Sequence, residues 1–145
     1  MPVQSEKYIE AKKLVEKLRR LKSRESYALL MVEYEAQNFD AITKVRKGIP
    51  VQISELTEFQ RHIYERQREY VQRARDARAE YERIVQAIEE IPDPMCRSIL
   101  EHHYICRQTW EDIAYDNNYS LRQVFRIRDK ALMMLKLPDQ QQNMS

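Results

Sequence analysis

The sequence predicts an all-α protein in which a long helical hairpin or coiled coil precedes a compact three-helix domain. The 145 residues contain one Gly and five Pro, too few to supply the turns of a multi-stranded sheet. Charged residues make up 33% of the chain, a composition typical of long exposed helices. Apolar residues also recur at steps of three and four over two long stretches, which is the period of an amphipathic helix.

The first stretch predicts a helix from Ser5 to about Gln37, a segment without Gly or Pro. Its apolar residues have helical spacing, although Glu25 interrupts them: Ala11, Leu14, Leu18, Leu21, Ala28 and Val32. Residues 38–56 hold Gly48 and Pro50 and predict a connector or mobile loop.

A second long helix is predicted from Thr57 to Ile91, with four heptads of seam positions. These positions are Ile63, Gln67, Tyr70, Ala74, Ala77, Tyr81, Ile84, Ile88 and Ile91. A helix of this length spans about 50 Å and cannot bury its stripe alone. It must pack on the first helix as an antiparallel hairpin, on a second copy of the chain, or on both. Because the first stripe is interrupted, we expect residual seam surface, including Ile84 and Ile88, to form a homodimer through residues 1–91.

Residues 92–137 predict a separate domain of three short helices. Asp93, followed by Pro94, is suited to cap the first helix, Met95 to Ile105. The next two run from Thr109 to about Asn117 and from Ser120 to about Leu137. Both have capping-box spacing, with Asp112 and Gln123 three positions after the cap.

The lengths of these helices and the short break between the last two match a helix-turn-helix. Its predicted core contains Trp110, Ile113, Val124 and Leu135. The remaining residues, 138–145, are polar and are expected to be a disordered tail.

The last predicted helix concentrates positive charge on one face. Residues 120–137 hold five Lys or Arg and one Asp, a local charge of +4 in a chain of +2. On a helical projection Arg122, Arg126 and Lys130 lie opposite the apolar sector, with Gln123 beside them. Arg and Gln can read base edges, and Lys neutralises phosphates. These four residues are therefore candidate contacts to double-stranded DNA, although Gln123 is equally suited to capping.

Two residues beside the turn, Tyr119 and Ser120, complete the candidate DNA-binding set. Arg128 projects into the apolar sector, so we expect a structural role, with its head paired to Glu101 or Glu111. An isolated helix with such a face is more often merely solvated, but the capped short helix before it favours DNA binding.

Other functional sites are not expected. The residues Cys96, His102, His103 and Cys106 lack the paired spacing of a structural zinc site. Cys96 is better explained as a core residue, and the two histidines as surface residues. We find no phosphate loop, nucleophile–base pair or paired carboxylates, so neither a cofactor nor enzymatic activity is expected. Two cysteines and no signal-like or membrane-spanning run predict a cytoplasmic protein.

The C-terminal residues resemble a known family. Tyr104, Thr109–Ala114, Tyr119–Val124, Arg126-Ile127 and Ala131-Leu132 look like the signature of phage and prophage ArpU/RinA-like late-gene transcriptional regulators of Gram-positive hosts. The same segment is similar to the promoter-reading C-terminal domain of bacterial sigma factors. The resemblance implies a sigma-like helix-turn-helix after an N-terminal helix, a variable loop and a long charged helix. It also implies transcription regulation in a bacterial host cell.

Three positions differ from the pattern of that family. Cys106-Arg107 and Asn118 stand where the family often has Gly, and Arg128 stands where it tends to have His. Asn tolerates the left-handed backbone of a turn, so the fold is expected to survive. These three differences are expected to change which DNA sequence the protein prefers.

Two other functions remain open from the sequence. One is a phage DNA-packaging protein of the small-terminase type, although its DNA-binding domain usually comes first in the chain. The other is an interaction protein whose helix-turn-helix docks on RNA polymerase.

Overall fold

The structure, a computed structural model, describes residues 5–45 and 53–137, with side chains described for 5–38 and 58–137. Five α-helices make up most of this part, and it contains no strand. They are α1 (Glu6–Val45), α2 (Ile53–Glu89), α3 (Pro94–Leu100), α4 (Trp110–Asn117) and α5 (Leu121–Met134). A π-helical turn, Glu101–Ile105, follows α3 directly. The all-α class is thus confirmed, and no described helix is long and apolar enough to span a membrane.

Several helix boundaries differ from the predicted ones. The first helix continues past Gln37 to Val45, and α2 begins at Ile53 rather than Thr57. The predicted connector is therefore helical at both ends, because Gly48 and Pro50 lie between these helices and not within them. Residues 46–52 and the predicted tail 138–145 lie outside the described residues. The last helix ends at Met134, since Leu135 has extended backbone angles.

The chain divides into two compact units, taken over its described residues. One unit joins Met1–Leu21 to Glu80–Ser145 and contains the three short helices; we call it the α3–α5 unit. The other, Lys22–Ala79, contains the remaining parts of α1 and α2; we call it the helix-pair unit. This grouping differs from the boundary expected at residue 91, because the start of α1 and the end of α2 pack with the short helices.

In the helix-pair unit, α1 and α2 contact each other in antiparallel order. Glu35 contacts Arg66, Tyr27 contacts Tyr70 edge-to-face, and the Gln67 amide donates to the Val32 carbonyl at 3.1 Å. Residue numbers therefore rise along α1 while those of the contacting residues fall along α2. Four predicted stripe and seam residues are buried in this unit: Ala28, Ile63, Ala74 and Ala77.

Glu35 is the buried charged residue among those described in the chain. Two nitrogens of Arg66 hold its two oxygens, Nε to Oε1 at 3.1 Å and Nη2 to Oε2 at 3.1 Å. A bidentate guanidinium pair of this kind compensates a carboxylate for its lost hydration. Glu25, which interrupts the predicted stripe, lies 3.8 Å from Arg78.

The α3–α5 unit contains the larger core. Its fully buried side chains come from every helix in it: Val15, Leu18, Ile84, Ile88, Ile91, Cys96, Ile99, Leu100, Ile113, Val124, Leu132 and Leu135. Ile84 and Ile88 are at most 1% exposed within one chain. The expectation that they present free surface to a second copy is therefore wrong, because this core already covers them.

The three short helices share a cluster of buried residues: Ile99, Ile113, Ala114 and Val124. Met95, Trp110, Tyr119 and Ile127 pack around it and are partly exposed. The predicted burial of Ile113, Val124 and Leu135 is confirmed. Trp110 packs against the cluster as expected, but it is only partly buried and not largely buried as predicted.

Candidate nucleic-acid interface

Local hydrogen bonds define the connection between α4 and α5. Thr109 caps α4, accepting from the Asp112 N–H at 3.1 Å. The predicted capping box is only half formed at this cap, because among the described bonds the Asp112 side chain does not accept from the Thr109 N–H. The helix ends at Asn118, which has φ 57° and ψ 38°. Tyr119 N–H donates to the Ala114 carbonyl at 2.9 Å, and Asn118 N–H to the Tyr115 carbonyl at 3.2 Å. This pair of bonds is the Schellman motif, here formed with Asn in place of Gly.

A complete capping box starts α5. The Ser120 hydroxyl accepts from the Gln123 N–H at 3.1 Å, and the Gln123 side-chain oxygen accepts from the Ser120 N–H at 2.8 Å. The first turn of α5 is therefore fixed before any ligand binds. The prediction of this box is confirmed in both of its bonds.

One side of α5 is buried and the other is exposed. Val124, Ala131 and Leu132 lie in the core. Arg122, Gln123, Arg126 and Lys130 are all exposed; we call these four the α5 outer face. Because three of them are cations, this face can bind a polyanion.

The cations of the outer face are not equivalent. Lys130 Nζ lies 3.6 Å from Asp93 Oδ2. The Asp93 carboxylate also accepts from the N–H groups of Met95 and Cys96 as the predicted N-cap of α3. The Cys96 and Met95 N–H groups and the Lys130 charge lower the pKa of Asp93. Lys130 is thus partly neutralised within the chain, whereas within the described residues Arg122 and Arg126 form no ion pair.

The remaining candidate residues have evident structural contacts. The Gln123 oxygen and the Ser120 hydroxyl are used in the capping box, which leaves the Gln123 amide nitrogen as a donor. Tyr119 is half-buried against the short-helix cluster. The structure thus brings all six candidates to one end or one face of α5, with Arg122 and Arg126 the most available for a ligand.

Arg128 lies in an aromatic environment and not in the expected ion pair. Its guanidinium is 4.7 Å from the Phe125 ring centre and 5.7 Å from that of Trp110. Its Nη2 is 2.8 Å from the Asp129 carboxylate. The expected pairing with Glu101 or Glu111 is wrong, because the ring faces direct the guanidinium toward its neighbour in sequence. The side chain is 21% exposed, in keeping with the expected buried stem.

Asp129 links α5 to the start of α1. The Tyr8 hydroxyl donates to Asp129 Oδ1 at 3.0 Å, and the Arg128 Nε donates to the same oxygen at 2.9 Å. Burial and the Asp129 hydrogen bond raise the pKa of Tyr8. The prediction missed this link, although Tyr8 precedes Ala11 by three residues and so extends the stripe of the first helix.

The two neighbouring histidines differ in environment. His102 is exposed, as expected. His103 is not a surface residue, because its ring stacks on Trp110 with centres 3.6 Å apart, and Nδ1 bonds the Gln108 carbonyl at 2.8 Å. Burial lowers the pKa of His103, and nearby Arg128 lowers it further. Across the described part of the chain no group of His, Cys, Asp or Glu is placed to hold a metal ion.

Acidic residues supply the exposed charges of α4. Exposed on α4 are Glu111, Asp112 and Asp116, together with Tyr115, which is 84% exposed. Carboxylates repel phosphates, so α4 contributes little attraction for a nucleic-acid backbone beyond its N-terminus. The α5 outer face is therefore the candidate interface. Comparison with protein-family models, curated proteins and solved structures found no match to the chain.

Proposed function

We propose that the protein binds double-stranded DNA sequence-specifically through the α5 outer face, with α4 and α5 acting as a helix-turn-helix. One observation carries the proposal. Arg122 and Arg126 are exposed one turn apart, without an ion pair among the described residues, on a helix whose opposite side is buried and whose first turn is fixed by a capping box. Such preorganised guanidinium groups match the requirements of base reading in the major groove.

The spacing of the two arginines suits base pairs two steps apart. Four residues of α-helix rise about 6 Å, close to the rise of two base-pair steps. Each guanidinium can donate two bonds to the O6 and N7 atoms of guanine. In this arrangement Lys130 contacts a DNA phosphate as its ion pair with Asp93 weakens. The Gln123 amide nitrogen, Tyr119 and Ser120 lie near the edge of the groove.

The biological role follows from the resemblance of the C-terminal residues to the ArpU/RinA-like regulators. The proposal is a phage or prophage transcriptional regulator acting in the cytoplasm of a bacterial host. The chain acts as a homodimer, since two copies can read two half-sites one helical turn or a multiple of it apart. Host RNA polymerase is a further partner of such a regulator.

Binding to mapped DNA fragments tests the proposal. Genome-wide mapping in the host first supplies bound fragments, and fluorescence anisotropy then measures their affinity. Arg122→Ala and Arg126→Ala should each weaken specific binding by about 5- to 150-fold, equivalent to about 1–3 kcal/mol. Lys130→Ala should weaken all duplexes alike and flatten the salt dependence by about one ion.

Lys136→Ala is the matched control, because it removes an exposed charge from the same unit outside the α5 outer face. It should bind specific DNA within about twofold of the wild type. If both arginine variants bind as the wild type does, the α5 outer face does not read DNA and the proposal fails.

A second candidate function is docking of the same motif on RNA polymerase. The exposed acidic residues of α4 and the strongly exposed Tyr115 favour it, because such a surface suits a basic protein partner better than DNA. Co-purification with polymerase, lost in Tyr115→Ala but not in Arg122→Ala, distinguishes it from DNA binding. Co-purification with a large terminase subunit would instead indicate DNA packaging.

A further inference from the structure

The helix-pair unit has a small core and a large exposed apolar surface. The described buried apolar residues in it are three alanines and one isoleucine, Ala28, Ala74, Ala77 and Ile63. More than half of each larger side chain is exposed at Tyr27, Leu29, Leu30, Tyr34 and Tyr64. Apolar surface in excess of core is typical of an element that is covered by another molecule.

A groove lies along one side of this helix pair. Its volume is about 390 Å³, and α1 contributes Val32. The rest of its lining comes from α2: Tyr64, Gln67, Arg68, Val71, Gln72 and Arg75. Leu29 precedes Val32 by three residues and so lies on the same side of α1. Leu29 and Tyr64 are 53% and 62% exposed, so exposed apolar surface lies beside the groove and at one end of its lining.

The edges of the groove formed by α1 and by α2, here called the α1 rim and the α2 rim, carry opposite charge. The charge of the α1 rim comes from Glu33, which is exposed and directly follows the lining residue Val32, because Glu35 is buried against Arg66 on the other side. The α2 rim exposes Arg68 and Arg75 of the groove lining.

This pattern makes the groove complementary to itself. In a two-fold dimer each contact occurs twice with the roles of the copies exchanged. A second copy turned about such an axis places its acidic α1 rim against the basic α2 rim of the first, and the reverse contact follows by symmetry. The same contact would bury the exposed apolar residues Leu29 and Tyr64.

The opposite side of the helix pair is less suited to this role. It exposes Tyr27, Leu30 and Tyr34, but two of its cations are already engaged within the chain. Arg66 holds Glu35, and Arg73 lies 5.1 Å over the Tyr70 ring. It therefore offers apolar surface without the charge complementarity that the groove has.

We infer that the groove lined by Val32, Tyr64 and Val71, with its Glu33 and Arg68/Arg75 rims, is the surface on which a second copy of the chain docks. This inference rests on the dimer of the proposed function and names its surface, in place of the buried Ile84 and Ile88. It is tested without DNA, so its failure and the failure of DNA binding are distinguishable.

Sedimentation equilibrium of the full chain at micromolar concentration is the test. The wild type should have twice the 17.6 kDa mass of one chain. Glu33→Lys alone, and Arg68→Glu with Arg75→Glu, should each weaken association by at least about 100-fold, because like charges then face each other in both contacts. An equal mixture of these two variants should restore the dimer, since both contacts of the mixed pair are again of opposite charge.

The mixture separates an interface from a folding defect, because a variant that had lost its fold would not be rescued by another. Circular dichroism of each variant should show wild-type helix content. Leu30→Lys, at a position 62% exposed outside the groove, is the control and should leave the dimer intact. A wild type of 17.6 kDa at every concentration, a mixture that stays monomeric, or dissociation by Leu30→Lys alone would each overturn the inference.

Discussion

Replacing Tyr8 with Phe tests the link between the start of α1 and the candidate DNA-binding helix. The substitution removes one hydroxyl and keeps the ring, which is almost fully buried. The lost bond is the donation of Tyr8 Oη to Asp129 Oδ1 at 3.0 Å, across 121 positions of sequence. The ring continues to fill its site, so no cavity contributes to the change.

The expected cost follows from the surroundings of both groups. A hydrogen bond to a charged group contributes about 1.5–3 kcal/mol. Asp129 is about half exposed and is also bound by Arg128, so loss of Tyr8 leaves no buried, unpaired charge. Solvent and the remaining partner reduce the effect, and we expect about 1 kcal/mol less stability.

Urea unfolding of the full chain at neutral pH measures this change, with Asp129→Ala and the double variant completing a cycle. The coupling between the two positions should be about 0.5–1 kcal/mol. Asp129→Ala alone would not isolate the bond, because it also frees Arg128, and this effect cancels in the cycle. If Tyr8→Phe unfolds at the wild-type urea midpoint, or if the two single changes add without coupling, the observed bond does not stabilise the protein.

Two further predictions concern the same unit. Val124 has no exposed surface. Val124→Ala should therefore lower the free energy of unfolding by about 2–3 kcal/mol, from lost burial and the cavity left behind. Thermal unfolding should show a clear fall in Tm for this variant and almost none for the control Leu121→Ala, at an exposed position. Burial lowers the pKa of His103 below its ordinary value of 6.5, so the folded chain prefers the neutral imidazole. The stability that this provides above pH 6.5 should therefore be lost as the pH falls toward the lowered pKa of the folded protein. Urea midpoints between pH 7.5 and 5 should show this loss, and His103→Phe, which keeps a ring against Trp110, should reduce it; an identical pH dependence in both proteins would contradict the assignment.

The features that sequence analysis predicted depend on neighbouring residues. The caps at Asp93, Thr109 and Ser120 are set by side chains that bond N–H groups two or three positions away, so their spacing is visible in the sequence. The buried seam of α2 follows in the same way from helical periodicity. A left-handed turn at Asn118 was expected from the resemblance, which has Gly at this position, and from the tolerance of Asn for that backbone; its φ of 57° agrees with it.

The features that it missed depend on where distant segments meet. The partner of Arg128 was sought one helix earlier, but the guanidinium lies over Phe125 and Trp110 beside Asp129. The contact of Tyr8 with Asp129 requires the two ends of the chain to pack together, which no local pattern encodes. Arg107, two residues after the π-helical turn, has a φ of 62° although it is not Gly.

The bidentate pair of Arg66 with Glu35 has a consequence for how the helix pair selects its alignment. Three of the four described buried apolar residues of the helix pair are alanines, so sliding α1 by one turn, about 5.4 Å, would keep much of the apolar burial. The same slide would carry the buried Glu35 carboxylate away from its guanidinium, and an unpaired buried charge costs about 3–5 kcal/mol. The ion pair therefore favours the observed alignment of the two helices over alignments shifted by one turn. A substitution at position 35 accordingly requires a compensating substitution at position 66.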